Sequence, residues 1–210
     1  MKHSEMESEP AAAAALCGDA LAVMRRFAED IHTYGEELGL VGPRELDRLW
    51  TRHLLNSALL AKKLPAGTLA DIGSGAGFPG LVVAILRPDI HCTLIEPLGR
   101  RATWLTDEAQ RLGLSNVSVL NQRAEEVAGH VVADAVTARA VSALTTLIPL
   151  AVPLMKPGGE LLLMKGQRVG QEIRDAASTM VRWNLSSPRV EITGPEYETE
   201  DTRIFRATVG

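Results

Sequence analysis

The stretch Asp71-Ile-Gly-Ser-Gly-Ala-Gly-Phe-Pro-Gly80 decides the fold class of this 210-residue chain. It follows the apolar segment Thr68–Ile72, which predicts a buried strand, and it precedes an aliphatic run that predicts a helix. Gly75, Gly77 and Gly80 match the spacing G-x-G-x-x-G. Glycines allow a sharp turn between strand and helix, and they let a ligand approach the backbone closely. The stretch therefore predicts a strand–loop–helix unit that binds a nucleotide-like cofactor.

Two acidic residues favour S-adenosylmethionine over a nicotinamide dinucleotide as that cofactor. Asp71 stands directly before the glycines, where a carboxylate attracts the ammonium group of a methionine end and repels a pyrophosphate. Glu96 ends the next predicted strand, 23 residues after Gly73, where an acid can accept hydrogen bonds from ribose hydroxyls of either cofactor. No tyrosine–lysine pair or substrate domain typical of dehydrogenases follows. We therefore expect Asp71, Gly75, Gly77 and Glu96 to bind S-adenosylmethionine, and a nicotinamide-dependent oxidoreductase is the alternative.

Predicted strands and helices alternate after this loop. Such an order is typical of an α/β fold, a parallel sheet with helices on both faces. No helix separates the last two strands, so we expect an antiparallel hairpin at one edge of the sheet. The predicted strands are Thr68–Ile72, His91–Glu96, Asn116–Asn121, Ala135–Ala138, Glu160–Met164, Arg189–Thr193 and Arg203–Val209, and the helices among them are Leu81–Arg87, Arg101–Leu112, Ser142–Met155 and Gly170–Trp183.

Two helical segments precede the alternating part. Ala11–Leu38 is rich in Ala, Leu and Glu, and a second segment begins at Gly42-Pro43 and ends before Gly67. The second segment carries an arginine every fourth residue, which predicts one basic helix face: Arg44, Arg48 and Arg52. We expect residues 1–66 to form a helical extension packed on an α/β domain of residues 67–210.

Composition and charge exclude several other classes of protein. Hydrophobic residues make up 46% and charged residues 23%, which excludes a disordered, collagen-like or coiled-coil chain. The net charge of −4 excludes a uniformly basic nucleic-acid coat, although residues 41–70 hold five basic and two acidic side chains. Cys17 and Cys92 lack the spacing of a metal site or a disulfide framework, so we expect no metal. No secretion signal or membrane-length apolar stretch is found, which predicts a cytoplasmic protein without membrane contact.

Five stretches, in order along the chain, carry a more specific signal. They are Asp47-Arg-Leu-Trp-Thr-Arg-His-Leu-Leu-Asn-Ser57, Leu69-Ala-Asp-Ile-Gly-Ser-Gly-Ala-Gly-Phe-Pro-Gly-Leu81, Leu98-Gly-Arg-Arg-Ala-Thr-Trp-Leu105, Thr137-Ala-Arg-Ala140 and Met164-Lys-Gly-Gln167. Together they resemble the small-subunit ribosomal RNA methyltransferase G family, also called glucose-inhibited division protein B. The glycine loop alone fits any class I methyltransferase, whereas Phe-Pro-Gly, Arg-His-Leu-Leu-Asn-Ser and Lys-Gly-Gln are the specific matches.

This resemblance implies a class I methyltransferase that methylates N7 of one guanine in 16S ribosomal RNA, near the decoding site, with S-adenosylmethionine as donor. It implies that Gly73 and Phe78 line the cofactor site, that Ala124 and Glu125 contact the adenosine, and that Arg139 closes the pocket. The expected partner is 16S ribosomal RNA or the assembling small subunit. No coiled-coil seam is present, so we expect a monomer.

The residues agree with a reaction at guanine N7. This atom carries no proton and has an in-plane lone pair, so direct SN2 attack on the sulfonium methyl needs alignment more than a general base. Enzymes that methylate exocyclic amines often carry Asn/Asp-Pro-Pro-aromatic where this chain has Thr137-Ala-Arg-Ala140. Methylation of cytosine C5 needs a cysteine nucleophile, and Cys17 and Cys92 are not placed for it. Arg139 follows a strand, and our hypothesis is that it contacts the methionine carboxylate or the target nucleotide.

A set of basic side chains is predicted to contact RNA, with an ordinary solvated surface as the other interpretation. The set comprises Arg44, Arg48, Arg52, Arg123 and Lys165. Gly39-Leu-Val-Gly-Pro43 departs from the Asn-Leu-Thr-type segment of many family members, and this departure concerns the RNA contacts.

Three further side chains, His53, Trp50 and Trp104, fall on apolar stripes and are expected in the core. Two other functions stay open at this point. One is a methyltransferase of the same fold that acts on a protein or a small molecule, and the other is a non-catalytic RNA-binding module.

Overall fold

The computed structural model of the protein describes residues 6–210, so the first five residues of the predicted extension lie outside it. In this range the chain forms one seven-stranded sheet. Its strands are β1 (Gly67–Ile72), β2 (Ile90–Ile95), β3 (Val117–Leu120), β4 (Ala133–Arg139), β5 (Met155–Lys165), β6 (Leu185–Thr193) and β7 (Thr202–Val209). They lie in the order β3-β2-β1-β4-β5-β7-β6. β1 to β5 are parallel, and β7 is antiparallel to both β5 and β6. The predicted α/β class and edge hairpin are confirmed.

Helices cover both faces of this sheet. The α-helices are α1 (Ala12–Cys17), α2 (Leu21–Tyr34), α3 (Pro43–Leu46), α4 (Asn56–Ala61), α5 (Gly80–Leu86), α6 (Gly99–Leu112), α7 (Leu144–Ala151), α8 (Val169–Asp175) and α9 (Ala177–Arg182), and Leu49–Leu55 forms a π-helix. The N-terminal helices, α5 and α6 share one apolar core with the sheet, while α7 to α9 form a second core on the opposite face. Successive strand residues point to opposite faces, so Leu69 enters the first core and Ala70 the second.

The predicted N-terminal helix Ala11–Leu38 is interrupted. It breaks into α1 and α2 at the 3₁₀ turn Gly18–Ala20, where Gly18 has a φ of +50°. α2 ends at Tyr34 rather than at Leu38. A left-handed φ at glycine ends a helix at little steric cost, which explains the break.

The second predicted helical segment is also broken, and the prediction of one arginine face on it is wrong. α3 ends at Leu46, and Arg48 has φ −136° and ψ 26° at the start of the π-helix. Arg44 lies on α3 and Arg52 on the π-helix, so the four-residue spacing no longer places the three arginines on one helix face. The π-helix is wider than an α-helix, and such segments are frequent at functional sites.

The predicted helices Ser142–Met155 and Gly170–Trp183 have shorter counterparts. α7 passes into the 3₁₀ turn Val152–Leu154, which contains a proline, and Met155 already belongs to β5. Ala176 separates α8 from α9. These changes leave the sheet order intact and affect only the layer over the second core.

Within the described residues, no helix combines the length and apolar character that crossing a bilayer requires. The same residues contain no group of three or more His, Cys, Asp and Glu side chains that could hold a metal ion. Cys17 and Cys92 are buried free thiols, and burial raises their pKa values to about 11 and about 12. Such thiols are protonated and unreactive near neutral pH.

Candidate active site

The glycine loop turns at the carboxyl end of β1. Gly73, Gly75 and Gly77 have φ values of +69°, +57° and +108°, which L residues with side chains rarely adopt. The Gly73 amide donates to the Ile95 carbonyl at the end of β2, over 2.8 Å. The indole N–H of Trp104 donates to the Ala76 carbonyl over 3.1 Å, so the predicted core role of Trp104 includes support of the loop.

Glu96 fixes the opposite side of the loop. Its Oε2 accepts the Gly75 amide and its Oε1 accepts the Leu98 amide, each over 2.9 Å. The residue is only 3% exposed, yet it lines a cavity. Each carboxylate oxygen has a second lone pair, so both can still accept a hydrogen bond from a ligand.

Asp71 lies beneath the loop rather than in a cavity wall. It is fully buried, its Oδ2 accepts the Gly80 amide over 3.0 Å, and its Oδ1 has no hydrogen-bond partner among the described residues. Burial raises the pKa of Asp71 to about 7, while the nearby Ser74 hydroxyl, the hydrogen bond from the Gly80 amide and the charge of Arg139 oppose the rise. A buried carboxyl oxygen without a hydrogen bond is energetically costly.

A cavity of about 460 Å³ opens above the loop, which we call the smaller cavity. A volume near 300–1,000 Å³ is typical of small-molecule sites. It is lined by Leu40, Val41, Gly42, Glu45, His53, Gly73, Ser74, Gly75, Ala76, Phe78, Glu96, Pro97, Leu98, Arg101, Arg139, Ala140 and Val141. The sheet supplies one side and the segment before α3 supplies the other.

Five predicted cofactor residues line the smaller cavity: Gly73, Gly75, Phe78, Glu96 and Arg139. The other four, Asp71, Gly77, Ala124 and Glu125, do not. Gly77 turns toward Leu81, where an added Cβ would lie 2.6 Å from Leu81 Cδ1. Ala124 is buried in the second core and Glu125 is exposed, both on a 3₁₀ turn after β3. The predicted adenosine contact of this turn stays a prediction.

A second cavity, of about 880 Å³, adjoins the first, and we call it the larger cavity. It is lined by Glu45, Arg52, His53, Asn56, Arg139, Ala140, Val141, Ser142, Ala143, Met164, Lys165, Gly166, Gln167, Arg168, Gln171, Glu172, Asp175, Glu200, Asp201, Thr202 and Arg203. The two cavities share one wall, formed by Glu45, His53, Arg139, Ala140 and Val141. Part of this wall, Arg139 to Val141, lies at the carboxyl end of β4, the edge of the sheet where ligands bind in such folds.

Arg139, at the end of β4, is the central residue of the shared wall. Its Nη2 lies 2.5 Å from His53 Nδ1, its Nη1 donates to the Arg52 carbonyl over 3.2 Å, and its guanidinium lies 5.2 Å from the Phe78 ring centroid. Burial lowers the pKa of Arg139 to about 10, while Asp71 raises it, so the side chain stays cationic at neutral pH. The next residue, Ala140, has a left-handed φ of +55°, a strained conformation of the kind that occurs at functional sites.

His53 is buried, as predicted, but apolar packing is not its main contact. Its Nε2 lies 2.7 Å from Glu45 Oε2, opposite the bond to Arg139. Burial and the charge of Arg139 lower the pKa of His53 to about 4, although Glu45 opposes this. No sequence pattern predicts this contact, because His53 and Arg139 lie 86 residues apart and the apolar stripe around Trp50 predicts a core position.

The predicted RNA contacts divide into two groups. Arg44 and Arg123 are exposed, and Arg52 is half exposed beside Glu45, at 3.4 Å. The other two, Arg48 and Lys165, each pair with an acid in the folded chain, and their contact with RNA stays a prediction. Arg48 Nη2 donates to both carboxylate oxygens of Glu200, over 2.5 and 2.7 Å.

Lys165 is the second of these. Its side chain is 8% exposed, and its Nζ lies 2.6 Å from Glu172 Oε2 and donates to the Ser142 carbonyl over 2.8 Å. Arg168 also follows the end of β5, where a cation can extend the basic surface, and it lines the larger cavity and is exposed.

The strand order, the glycine loop after β1 and the acid after β2 define the class I fold of S-adenosylmethionine-dependent methyltransferases. The chain is similar in fold to an S-adenosylmethionine-dependent O-methyltransferase from Thermotoga maritima. The TM-score is 0.56 at 14% identity, and the match covers 74% of this chain and 64% of the other. It is also similar to the cofactor-bound Rv0187 from MTB, with a TM-score of 0.61, 18% identity and coverage of 93% of each chain.

Sequence comparison identifies the family within this class. Residues 20–194 match the model of rRNA small subunit methyltransferase G. The chain is 49% identical over 208 residues to the ribosomal RNA small subunit methyltransferase G of Clavibacter sepedonicus, which covers 99% of each protein. The chain belongs to the rRNA small subunit methyltransferase G family, and the predicted membership is confirmed.

Proposed function

We propose that this protein transfers the methyl group of S-adenosylmethionine to N7 of a guanine in 16S ribosomal RNA, acting as a monomer in the cytoplasm. The observation that carries the proposal is the wall shared by the two cavities. One cavity has the glycine loop and acid of a cofactor site, and the other is large, polar and open at the same sheet edge. Two ligands bound in these cavities would meet at Arg139.

The residues of the smaller cavity fit S-adenosylmethionine. Glu96 can accept bonds from the ribose hydroxyls, and the exposed apolar side chains of Leu98 and Val141 at the rim can pack on a flat base. The unpaired Oδ1 of Asp71, below the loop, favours a positive charge above it. When bound, the cofactor supplies an electrophilic methyl group on a sulfonium.

The larger cavity fits a reaction that needs alignment rather than proton removal. Each of its carboxylates already has an ion-pair or hydrogen-bond partner within the described residues: Glu45, Glu172, Asp175, Glu200 and Asp201. N7 of guanine has no proton to lose, so a free base is not required. Arg139 would orient the methionine carboxylate or the target nucleotide from the shared wall.

RNA phosphates would be held by exposed cations. Arg44, Arg52, Arg123 and Arg168 are exposed, and Arg52 and Arg168 line the larger cavity. Each phosphate contact adds to the salt dependence of binding. The helical extension of residues 1–66 would contribute Arg44 and Arg52, together with the segment over the smaller cavity.

The direct test is methyl transfer from labelled S-adenosylmethionine to 16S RNA and to small subunits that lack the modification, with nucleoside analysis by mass spectrometry. We expect 7-methylguanosine in the 16S fraction from the native protein. For Arg139→Ala we expect a loss of about 100-fold in rate, of the size that misplaced reactants can cause. A different methylated nucleoside would contradict the reaction at N7, and transfer only to protein or small molecules would contradict the RNA substrate.

A further inference from the structure

His53 lies between a carboxylate and a guanidinium in the shared wall. It is 6% exposed, with Glu45 Oε2 at 2.7 Å from Nε2 and Arg139 Nη2 at 2.5 Å from Nδ1. A guanidinium has only donors, so Nδ1 must be the acceptor. The proton of the neutral imidazole therefore lies on Nε2 and is donated to Glu45.

The bond from Arg139 Nη2 to His53 Nδ1 is the most directional contact of the Arg139 side chain. The bond to the Arg52 carbonyl is longer, at 3.2 Å, and the contact with the Phe78 ring constrains the guanidinium plane without fixing its rotation within that plane. An acceptor on His53 sets that rotation. The remaining N–H groups of Arg139 are then directed by the geometry of the imidazole.

We infer that His53 is a positioning residue for methyl transfer: its Nδ1 holds the Arg139 guanidinium at the wall between the two cavities, and Glu45 holds the imidazole in the tautomer that makes this possible. The inference rests on the proposed function, in which Arg139 orients a ligand. Glu45 belongs to α3, directly after the segment Leu40–Gly42 over the smaller cavity. The three residues thus connect that segment to the end of β4.

The protonation state supports this arrangement. Burial and the neighbouring charges of Arg139 and Arg52 keep the pKa of His53 at about 4, against the opposing effect of Glu45. The imidazole is therefore neutral at pH 7 and keeps a lone pair on Nδ1. A protonated His53 would donate from both nitrogens and repel the guanidinium.

Amide substitutions distinguish the roles of the two ring nitrogens of His53. In His53→Asn the short amide can supply an acceptor near the Nδ1 position, whereas the longer amide of His53→Gln reaches the Nε2 position. We expect His53→Asn to transfer methyl groups within about 5-fold of the native rate, and His53→Gln and His53→Leu to lose about 100-fold, since misplacement by about 1 Å can cost that much. Equal rates for the Asn and Leu variants would overturn the inference.

A double-mutant cycle separates positioning from a general role in folding. If His53 acts through Arg139, then His53→Leu in the Arg139→Ala background changes the rate by less than about 3-fold. If the rate losses of the two single variants instead multiply in the double variant, the inference is overturned. His91→Asn is the matched control, because His91 contacts Ser118 outside both cavities, and it should leave transfer unchanged. Thermal melting of each variant identifies a folding defect, and Glu45→Gln and His53→Asn remain testable if the Leu variant does not fold.

A spectroscopic readout is independent of activity. In nitrogen-15 histidine spectra at pH 7, His53, assigned by its loss in His53→Asn, should show a protonated Nε2 and an unprotonated Nδ1. The Nδ1 signal should shift in Arg139→Ala. A proton on Nδ1 would overturn the inference even if transfer occurs. Normal transfer by Arg139→Ala would instead overturn the proposed role of Arg139, and loss in Arg139→Ala with a normal rate for His53→Leu would overturn only the role of His53.

Discussion

The two cavities differ in the groups that shape them. The smaller cavity is shaped mainly by backbone, with glycines at left-handed φ and a carboxylate that accepts two amides. The larger cavity is shaped by charged side chains paired across distant elements, such as Arg48 with Glu200 and Lys165 with Glu172. A site made of backbone is fixed by local sequence, whereas a site made of ion pairs depends on how distant segments meet. Substitutions should therefore affect the two cavities separately.

The largest effect is expected for Gly80→Ala, on the smaller cavity. An added Cβ would lie 2.3 Å from Leu94 Cδ2 and 2.6 Å from Asp71 Oδ2, and both side chains are fully buried. Overpacking of this kind costs about 3 kcal/mol, which corresponds to about 100-fold in S-adenosylmethionine affinity if the loop yields. Calorimetric titration measures this affinity. Gly113→Ala is the control, with φ +74° and no neighbour within 4 Å, and it should leave the affinity unchanged. Weakened RNA binding by Gly80→Ala without a change in cofactor affinity would contradict the comparison.

A somewhat smaller effect is expected for Glu172→Ala, on the larger cavity. The substitution leaves the Lys165 ammonium, 8% exposed, without its carboxylate and removes the acceptor of the Leu144 amide. We expect a loss of about 2 kcal/mol in the free energy of unfolding, measured with denaturant, and slower RNA methylation. Glu172→Gln keeps an acceptor oxygen and should lose about half as much. Cofactor affinity should remain within 2-fold, and a larger loss of it would show that the cavities are not separable.

Glu200→Gln should act in the opposite direction. The ion pair with Arg48 is exposed, so its removal should change stability by about 0.5 kcal/mol or less. Arg48 becomes free to contact a phosphate, and one more contact steepens the dependence of log affinity on log salt by about 0.7 to 0.9. RNA binding measured at several salt concentrations tests this. Asp89→Asn disrupts a similar pair with Arg87 outside the cavities, and a salt slope equally steep in that control would contradict the prediction.

The smallest effect concerns a region that lines neither cavity. Burial and the neighbouring Asp30 raise the pKa of Glu108, on α6, to about 8, although Arg111 opposes this. A carboxyl group with a raised pKa in the folded state stabilises the fold at low pH, and this contribution is lost as pH rises through about 8. Glu108→Gln should therefore flatten the fall in melting temperature between pH 6.5 and pH 9. The raised pKa of Asp71 acts in the same direction in both proteins and cancels in the difference. Parallel melting profiles would contradict the prediction.

The fold and the backbone-built part of the site follow from local patterns. Glycine spacing, the acid after β2 and the alternation of strands and helices are short-range features, and they led to Gly75 and Glu96 in the smaller cavity. The resemblance to the family implied Gly73 and Phe78, which also line it. Helix limits were less accurate, because Gly18 ends α1 and the Asp47-Arg48 turn divides the second segment, although the residues around each break favour a helix.

The ion pairs of the larger cavity could not be predicted from the sequence, for a physical reason. Glu200 lies 152 residues after Arg48, and His53 and Arg139 are 86 apart, so no spacing rule connects them. Lys165 and Arg48 were predicted to contact RNA without regard to Glu172 and Glu200, which pair with them in the folded chain. Charge in a sequence can be counted, but its neutralisation depends on tertiary contacts.

The shared wall has a thermodynamic consequence. Any ligand that orders Arg139 from one cavity changes the free energy of the wall that the other ligand meets. Coupling free energy between two binding events is reciprocal, so RNA must alter cofactor affinity by the same factor by which cofactor alters RNA affinity. If Arg139 is held better with both ligands present, that factor exceeds one. The enzyme would then release its second product more readily once the first has left.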